Sequence, residues 1–262
     1  MIDSNDYSNY TGLEFIFRRR FSAGLGFQAA YTWSVSKDNR SFDPSLTTVS
    51  SGTVQSASST PFDINNRDLN YSWSDFDRRH VFQATWVYEL PFGDGKRFKF
   101  DNSVANYIIS GWQFSGTFVW ESGRPFTVYT GFNTFSSVVG SLATCDGCPR
   151  NLGTVVDEAG RNFFFAAEQR AKFGTPAAGE ISDIPRNYFI GPSYWQPDVS
   201  MLRKFKLTEK FNLDFRVDMR NVFNHPNFDA PTAVLNSNIF GRINDAVTNN
   251  ARRIQFSMKL NF

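Results

Sequence analysis

Cysteine, histidine and net charge are all scarce in this chain, and it has no long apolar run. Its 262 residues include two cysteines and two histidines, and the formal net charge is +2 at pH 7. No apolar segment approaches the roughly 18 residues that a transmembrane helix needs, which excludes a helical membrane protein. The weak net charge, without a basic run, gives no reason to expect nucleic acid as a partner.

The beginning of the chain lacks a targeting signal. Residues 1–7 have neither the basic start nor the apolar core of a signal peptide. We therefore expect either a protein that is not exported or a chain whose true N-terminus is missing.

The residue types that usually carry catalysis or bind metals are isolated from one another. Cys145 and Cys148 form a Cys-Asp-Gly-Cys sequence with no histidine or further cysteine nearby. A structural zinc site needs four ligands, and a thioredoxin-like redox site needs a βαβ context. His80 and His225 have no nucleophile or acid at a catalytic spacing. We therefore expect no enzyme and no cofactor, and either a small disulfide or an idle thiol pair in a loop.

Aromatic residues in alternating patterns are abundant. They make up 17% of the chain, and phenylalanine alone occurs 29 times. The last ten residues alternate without interruption, and the side chains of a strand point to opposite faces with a period of two. The apolar face of this predicted strand carries Ile254, Phe256, Met258, Leu260 and Phe262. The polar face carries Arg253, Gln255, Ser257, Lys259 and Asn261.

The same alternation recurs along the chain. The predicted strands cover residues 11–18, 21–35, 81–90, 112–121, 199–207, 211–219 and 253–262. The short turns follow Arg18, Leu90 and Leu207, and the long loops follow Ser36, Arg124 and Asn221. Outer-membrane barrels have this asymmetry, which no soluble sandwich requires. We predict an all-β fold, an antiparallel transmembrane β-barrel segment of about seven strands with long extracellular loops.

The first short turn is predicted at Arg19 and Arg20, and the last at residues 208–210. The last turn also fixes a register, in which Lys204 faces Asp214 and Asp198 faces Arg220. Opposite charges at facing positions stabilise paired strands. These pairs lie on the polar, lumen-facing side of the predicted sheet. The charged stripe on that side serves either ladder pairing or contact with a plug or solute, and it consists of Asp214, Arg216, Asp218 and Arg220.

The same register places Arg203 on the lipid-facing side, opposite Phe215. A charge in that position is costly unless its side chain snorkels to the interface. We predict a bulge near Met201 and Leu202 that relieves this cost.

Several motifs follow one another in a specific order over nearly the whole chain. They are Asp77-Arg78-Arg79-His80-Val81-Phe82, Glu89-Leu90-Pro91-Phe92-Gly93, Gly111-Trp112-Gln113, Ser122-Gly123-Arg124-Pro125-Phe126, Phe215-Arg216-Val217-Asp218 and Asn221-Val222-Phe223-Asn224-His225-Pro226-Asn227-Phe228. With the final Phe262, this combination resembles the C-terminal barrel of TonB-dependent outer-membrane receptors. It is most similar to the Oar-like branch, which often carries a carboxypeptidase-regulatory-like domain at its N-terminus.

The resemblance implies a barrel of 22 strands, filled by an N-terminal plug and powered by TonB. Residues 1–262 would be the C-terminal portion of that barrel domain, without plug domain or signal peptide. TonB would then act only through the missing N-terminal plug region. The resemblance also implies that Phe262 is the signal read by the barrel-assembly machinery. The implied location is the outer membrane of a Gram-negative bacterium, in contact with its lipid, with the C-terminus in the periplasm.

We expect an outer-membrane transport or receptor protein whose loops 37–77 and 125–194 contact an unknown solute. The alternative is a secreted β-sandwich that acts as an adhesin or glycan-binding module, with exposed aromatic side chains that stack on sugars. A smaller passive porin is a third hypothesis, which the odd strand count weakens.

Overall fold

Seven long antiparallel strands form the main sheet of the protein. The computed structural model describes residues 6–41, 63, 65–93, 96–98, 102–133, 140–243 and 251–262. The long strands are β1 (Ser8–Ser22), β2 (Leu25–Asp38), β3 (His80–Glu89), β4 (Trp112–Glu121), β5 (Tyr194–Lys206), β6 (Asn212–Arg220) and β7 (Arg253–Asn261). Each strand pairs with its neighbours in sequence, so the sheet is an open meander with β1 and β7 at its edges. The predicted antiparallel all-β fold is confirmed.

Shorter elements lie in the connections between these strands. The short strands are Ser72–Trp73, Pro125–Phe126, Tyr129–Asn133, Gly140–Leu142, Val156–Glu158, Arg161–Phe163 and Phe189–Ile190. The helices are the 3-10 turn Arg67–Asn70, α1 (Ser103–Ile109) and α2 (Ala167–Arg170). In the part of the chain that the structure describes, none of the helices has the length and hydropathy to cross a membrane.

The hairpin between β1 and β2 turns later than the sequence predicts. Its two loop residues are Ala23 and Gly24, with φ of 51° and 81°. Positive φ at both positions is typical of a type I′ turn, whose twist matches that of paired strands. The predicted turn at Arg19 and Arg20 is wrong, because both residues stay in β1. The register shifts between Arg19 and Ser22, and this irregularity interrupted the alternation that the prediction relied on.

The hairpin between β5 and β6 has the predicted register. Lys204 pairs with Asp214, and pairing continues in step from Val199 to Lys206. The predicted bulge near Met201 and Leu202 is therefore wrong, since both residues keep their place in the ladder.

The register gives the sheet two chemically different faces. One row of paired apolar positions crosses six strands through Leu25, Tyr88, Phe114, Met201, Val217 and Phe256. On the opposite face, a polar row crosses five strands through Arg18, Gln28, Thr85, Thr117 and Asp198. The pair Arg220 and Arg253 lies on the same face of β6 and β7.

The compact apolar core lies in the long connections and not under the sheet. The connection after β4 and the connection after β6 together form it, and we call it the loop core. Its buried members are Phe126, Val128, Ala143, Cys145, Cys148, Phe164, Phe165, Phe173, Ile184, Phe189, Ala233, Phe240 and Ile243. Backbone hydrogen bonds join the two connections, for example from Tyr129 N to Ala233 O at 2.8 Å.

Candidate functional site

The predicted charged stripe of β6 lies on the polar face, but its members have separate partners. Arg216 Nε donates to Asp218 Oδ1 at 2.8 Å, and Ser200 Oγ donates to the same carboxylate. Arg220 Nε lies 3.8 Å from Asp198 Oδ2 on the neighbouring strand. The structure thus brings Arg216 and Asp218 together and joins Arg220 to β5.

Asp214 lies apart from this group, nearer the short-turn end of β6. Its Oδ2 atom accepts a hydrogen bond from Asn261 Nδ2 at 3.0 Å. The stripe is therefore a series of cross-strand contacts and not one four-residue cluster.

A depression of about 650 Å³ opens beside the Asp198–Arg220 pair. Its polar lining comes from β3 to β7 and comprises Thr85, Ser115, Thr117, Asp198, Ser200, Asp218, Arg220, Arg253 and Gln255. Carboxylates, guanidinium groups and hydroxyls in one concave surface offer both donors and acceptors to a polar molecule. Chemically, this surface is suited to contact a hydrated solute.

The apolar face remains open to its surroundings. Phe256 and Met258 on β7 are 67% and 70% exposed, although both belong to the predicted apolar row. A soluble sandwich buries such a face against a second sheet. The short strands, however, pair with one another or with the end of β2.

Arg203 on the apolar face is buried by helix α1. Its side chain is 4% exposed, and the guanidinium donates to the carbonyl oxygens of Tyr107 and Ile108. Its Cζ atom lies 4.3 Å from the centroid of the Phe205 ring. The last carbonyl groups of a helix have no partner within the helix and carry partial negative charge, so they favour a cation. The acceptors of helix α1 thus offset the cost of placing the Arg203 charge on the lipid-facing side. The bulge predicted from the sequence is not needed to relieve that cost.

Arg186 joins the end of β2, the connection that follows it and the connection after β4 in a buried polar cluster. Its side chain is 0% exposed and donates to Asp38 Oδ1 at 2.5 Å, to Asp75 Oδ1 at 3.1 Å and to Ser41 Oγ at 3.0 Å. Asn187 Nδ2 donates to the same Asp75 oxygen at 2.5 Å. We call these five residues the Arg186 cluster. It fixes the end of β2 and residues 67–77 against the loop core.

The sheet with these two chemically different faces matches a known protein family. A family model described as an outer membrane beta barrel domain matches residues 1–255. The chain belongs to this family. It is an outer-membrane protein, and the predicted barrel fold is confirmed, with the sheet open between β1 and β7. No curated protein matches the chain.

Membership of the outer-membrane barrel family explains the two faces of the sheet. Barrel strands alternate between apolar residues that meet lipid and polar residues that face the lumen. The row through Met201 and Val217 therefore contacts lipid, and the Asp198–Arg220 pair lines the lumen. The loop core, with its ordinary buried aromatic side chains, lies at one end of the barrel strands.

The two cysteines belong to the loop core. Cys145 and Cys148 are joined in a disulfide and are 1% and 5% exposed. Cys145 N donates to Asp183 Oδ1 at 3.1 Å, and Tyr188 Oη donates to Cys148 O at 2.8 Å. The disulfide thus lies where two loop segments meet.

The charged residues of the connections are also part of this packing. Arg150 lies with its Cζ atom 3.4 Å from the centroid of the Trp73 ring, and its Nε atom donates to Tyr188 O at 2.9 Å. Burial, and then the nearby Arg79 guanidinium, lowers the pKa of Arg150 to about 10. Burial also raises the pKa of Tyr129 well above its usual value. Arg150 is therefore charged and Tyr129 neutral at physiological pH.

Both histidines contact aromatic neighbours near the ends of strands. His80 is the first residue of β3, and its Nδ1 atom lies 2.7 Å from Tyr31 Oη. His225 stacks on Trp195 with ring centroids 4.1 Å apart. Burial lowers the pKa of His225, which favours the neutral ring for stacking.

Sequence reasoning missed the Arg186 cluster. Its residues come from regions without periodicity, and no local motif links Arg186 to Asp38 or Asp75. The one available signal was a pair of acidic residues, Asp75 and Asp77, in a segment otherwise read as a polar loop. The part of the predicted solute loop 37–77 at 42–62 and 64 lies outside the described residues.

Proposed function

We propose that this chain is the C-terminal part of the barrel of a TonB-dependent outer-membrane receptor that transports a polar solute. The observation that carries the proposal is the polar lumen wall, which extends over the width of the sheet and lies below a folded loop core. A packed loop core above a hydrated wall is suited to capture a solute and pass it into the lumen.

The direction of the edge strands supports a larger barrel. Because seven strands alternate in direction, β1 and β7 run the same way and would pair in parallel if they met. Closure with antiparallel pairs alone needs an odd number of further strands, which gives the even total usual in bacterial barrels. A 22-strand barrel, the size of plugged transporters, meets this condition.

We propose that the short turns face the periplasm and the long connections face the cell exterior. Phe262, which is 96% exposed at the end of β7, would then lie at the periplasmic rim for the barrel-assembly machinery. TonB would act through an N-terminal plug. The protein would not be an enzyme, and solute contacts would come from loop 125–194, from loop 37–77 and from the depression beside Asp198.

Solute uptake by cells that express the intact receptor tests this function. We expect uptake of one member of a panel of iron chelates, oligosaccharides and peptides to saturate with concentration and to require TonB. Uptake that rises linearly with concentration and persists without TonB would instead indicate a passive porin.

A paired substitution tests the lumen wall. The double substitution Asp198→Asn and Arg220→Gln removes both charges beside the depression and leaves a neutral polar side chain at each position. We expect a higher half-saturation concentration for uptake, with normal amounts of receptor in the outer membrane. Lys259→Gln removes a charge from the same face near the short turns and is the matched control.

A further inference from the structure

Helix α1 leaves apolar side chains exposed at the short-turn end of the barrel. It lies in the connection between β3 and β4, and four of its apolar side chains are exposed: Val104 by 67%, Tyr107 by 47%, Ile108 by 55% and Ile109 by 37%. Contiguous exposed apolar side chains are typical of a surface that contacts a membrane, a ligand or another protein.

The helix is held against the lipid-facing side of the barrel wall. The Tyr107 ring lies 5.9 Å from the Phe205 ring, and Tyr107 Oη donates to Lys206 O at 3.2 Å. Trp112 Nε1 donates to Ile108 O at 2.9 Å, and Arg203 donates to the carbonyls of Tyr107 and Ile108. Phe205, Trp112 and Arg203 all belong to the lipid-facing rows. The exposed side chains of α1 therefore continue the lipid-contacting surface.

The charges near α1 indicate which part of the membrane it meets. Arg97 in the same connection and Lys210 in the neighbouring short turn are exposed at this end of the barrel, and Glu209 beside Lys210 is an exposed acidic residue there. Apolar side chains flanked by basic residues are typical of segments that lie in the headgroup region of anionic membranes.

We propose that α1 lies in the boundary between headgroups and acyl chains of the phospholipid leaflet, with Val104, Tyr107 and Ile108 inserted and Arg203 and Trp112 holding it to the wall. The assignment to the phospholipid leaflet rests on the proposed periplasmic position of the short turns. The contact of α1 with lipid does not depend on that orientation. Arg203 acts as a positioning residue, because it binds the helix and not the lipid.

Fluorescence quenching tests the insertion in the intact protein, reconstituted in vesicles of phosphatidylethanolamine and phosphatidylglycerol. A bimane label at Val104→Cys is compared with labels at Glu209→Cys in the short turn and Phe256→Cys in the apolar row. The native cysteines are bonded to each other and do not compete for the label. We expect the Val104 label to be quenched more by a nitroxide near the headgroup than by one deep in the acyl chain. Its quenching by aqueous iodide should be several-fold weaker than at Glu209. Iodide quenching equal to that at Glu209, without lipid quenching, would overturn the proposal.

The positioning role of Arg203 needs a separate readout. In the Val104→Cys background, Arg203→Gln should raise iodide quenching several-fold, and Arg203→Lys should restore part of the protection. Trp112→Phe keeps an aromatic side chain but removes the N–H that donates to Ile108, so it tests the same attachment if Arg203→Gln fails to assemble. Unchanged iodide quenching in every variant that assembles would refute the role.

Labelling of whole cells distinguishes a wrong leaflet from a wrong function. A membrane-impermeant maleimide should not label Glu209→Cys in intact cells but should label it after the outer membrane is permeabilised. Labelling in intact cells would overturn both the orientation and the phospholipid leaflet, whatever the uptake assay shows.

Discussion

Aromatic side chains are buried in the loop core but exposed on the apolar face of the main sheet. Phe165 in the loop core is 0% exposed, whereas Phe256 in the sheet is 67% exposed. The loop core excludes water by packing aromatic side chains on one another, with the Phe165 and Phe173 rings 5.0 Å apart. In the sheet, the side chains of the apolar row instead contact lipid. In the loop core an exposed apolar side chain would mean a defect in packing. In the sheet an exposed apolar side chain is one that contacts lipid.

Charged residues show the same contrast. Arg186 in the loop region is fully buried and bonded to Asp38 and Asp75. The side chains of Arg216 and Arg220 on the lumen wall are 53% and 67% exposed in their ion pairs. Exposed pairs contribute little to stability, whereas removing one partner of a buried pair is costly. We therefore expect charge substitutions to destabilise the loop region and to spare the lumen wall.

The largest effect is expected for Arg186→Met, which leaves the carboxylates of Asp38 and Asp75 buried without their cation. Breaking a buried pair in this way costs about 3–5 kcal/mol. Hydrogen exchange should accelerate in residues 67–77 and 183–190, and the sheet should keep its protection. Arg161→Met, at an exposed position in the short strand Arg161–Phe163, is the control and should change neither region. Equal loss of protection in the sheet would mean that the two regions are not separate.

Phe165→Ala is expected to destabilise the loop core by about 3–5 kcal/mol, since it opens a cavity in packed surroundings. Phe256→Ala removes the same atoms from the lipid-facing row, where lipid fills the space, so its effect should be smaller. Protease resistance of the long connections measures the first effect, and the denaturant midpoint of the reconstituted barrel measures the second. A larger effect for Phe256→Ala would contradict the comparison.

Adjacent lysine substitutions test the two faces of one strand. Met201→Lys places a charge in lipid and should cost about 2–4 kcal/mol near the middle of the membrane. Leu202→Lys places the same charge in the lumen and should be nearly neutral. The free energy of unfolding in lipid vesicles distinguishes them, and equal costs would show that the assignment of faces is wrong.

The smallest effect concerns pH in the loop region. Arg170 Nη2 donates to Glu158 Oε2 at 2.7 Å, and this hydrogen bond holds the pKa of Glu158 below its usual value. The folded-state pKa is the lower one, so the contribution of Glu158 is present above its unfolded pKa of about 4.3. It is lost as the pH falls through the folded-state value.

Glu158→Gln should therefore weaken the acid-induced rise of hydrogen exchange around the Glu158–Arg170 pair. Glu168→Gln changes an exposed carboxylate nearby and should leave that rise as it is. If the two variants behave alike, the ion pair with Arg170 is not the cause of the lowered pKa.

The parts of the fold that depend on alternation could be predicted from the sequence. Strand β7 and the register of β5 with β6 follow from a period of two and a short turn, and Lys204 does face Asp214. The turn at Ala23 and Gly24 was missed, because the register shift in β1 hides the end of its pattern.

The features that depend on distant contacts could not be predicted. Helix α1 has seven residues, too few for a helical period to be recognised, yet it determines the environment of Arg203. The Arg186 cluster joins residues that no local pattern connects. The charged stripe was placed on the correct face, but its division among Asp198, Ser200 and Asn261 depends on side-chain geometry.

The Arg186 cluster also constrains the order in which the chain assembles. Arg186 bonds residues 148 and 111 positions away in sequence, at Asp38 and Asp75. Closing such long segments has a high entropic cost until β2 to β5 have paired and brought their ends together. We expect strand pairing to come first and the connections to close over the lumen as the last, slow phase of folding.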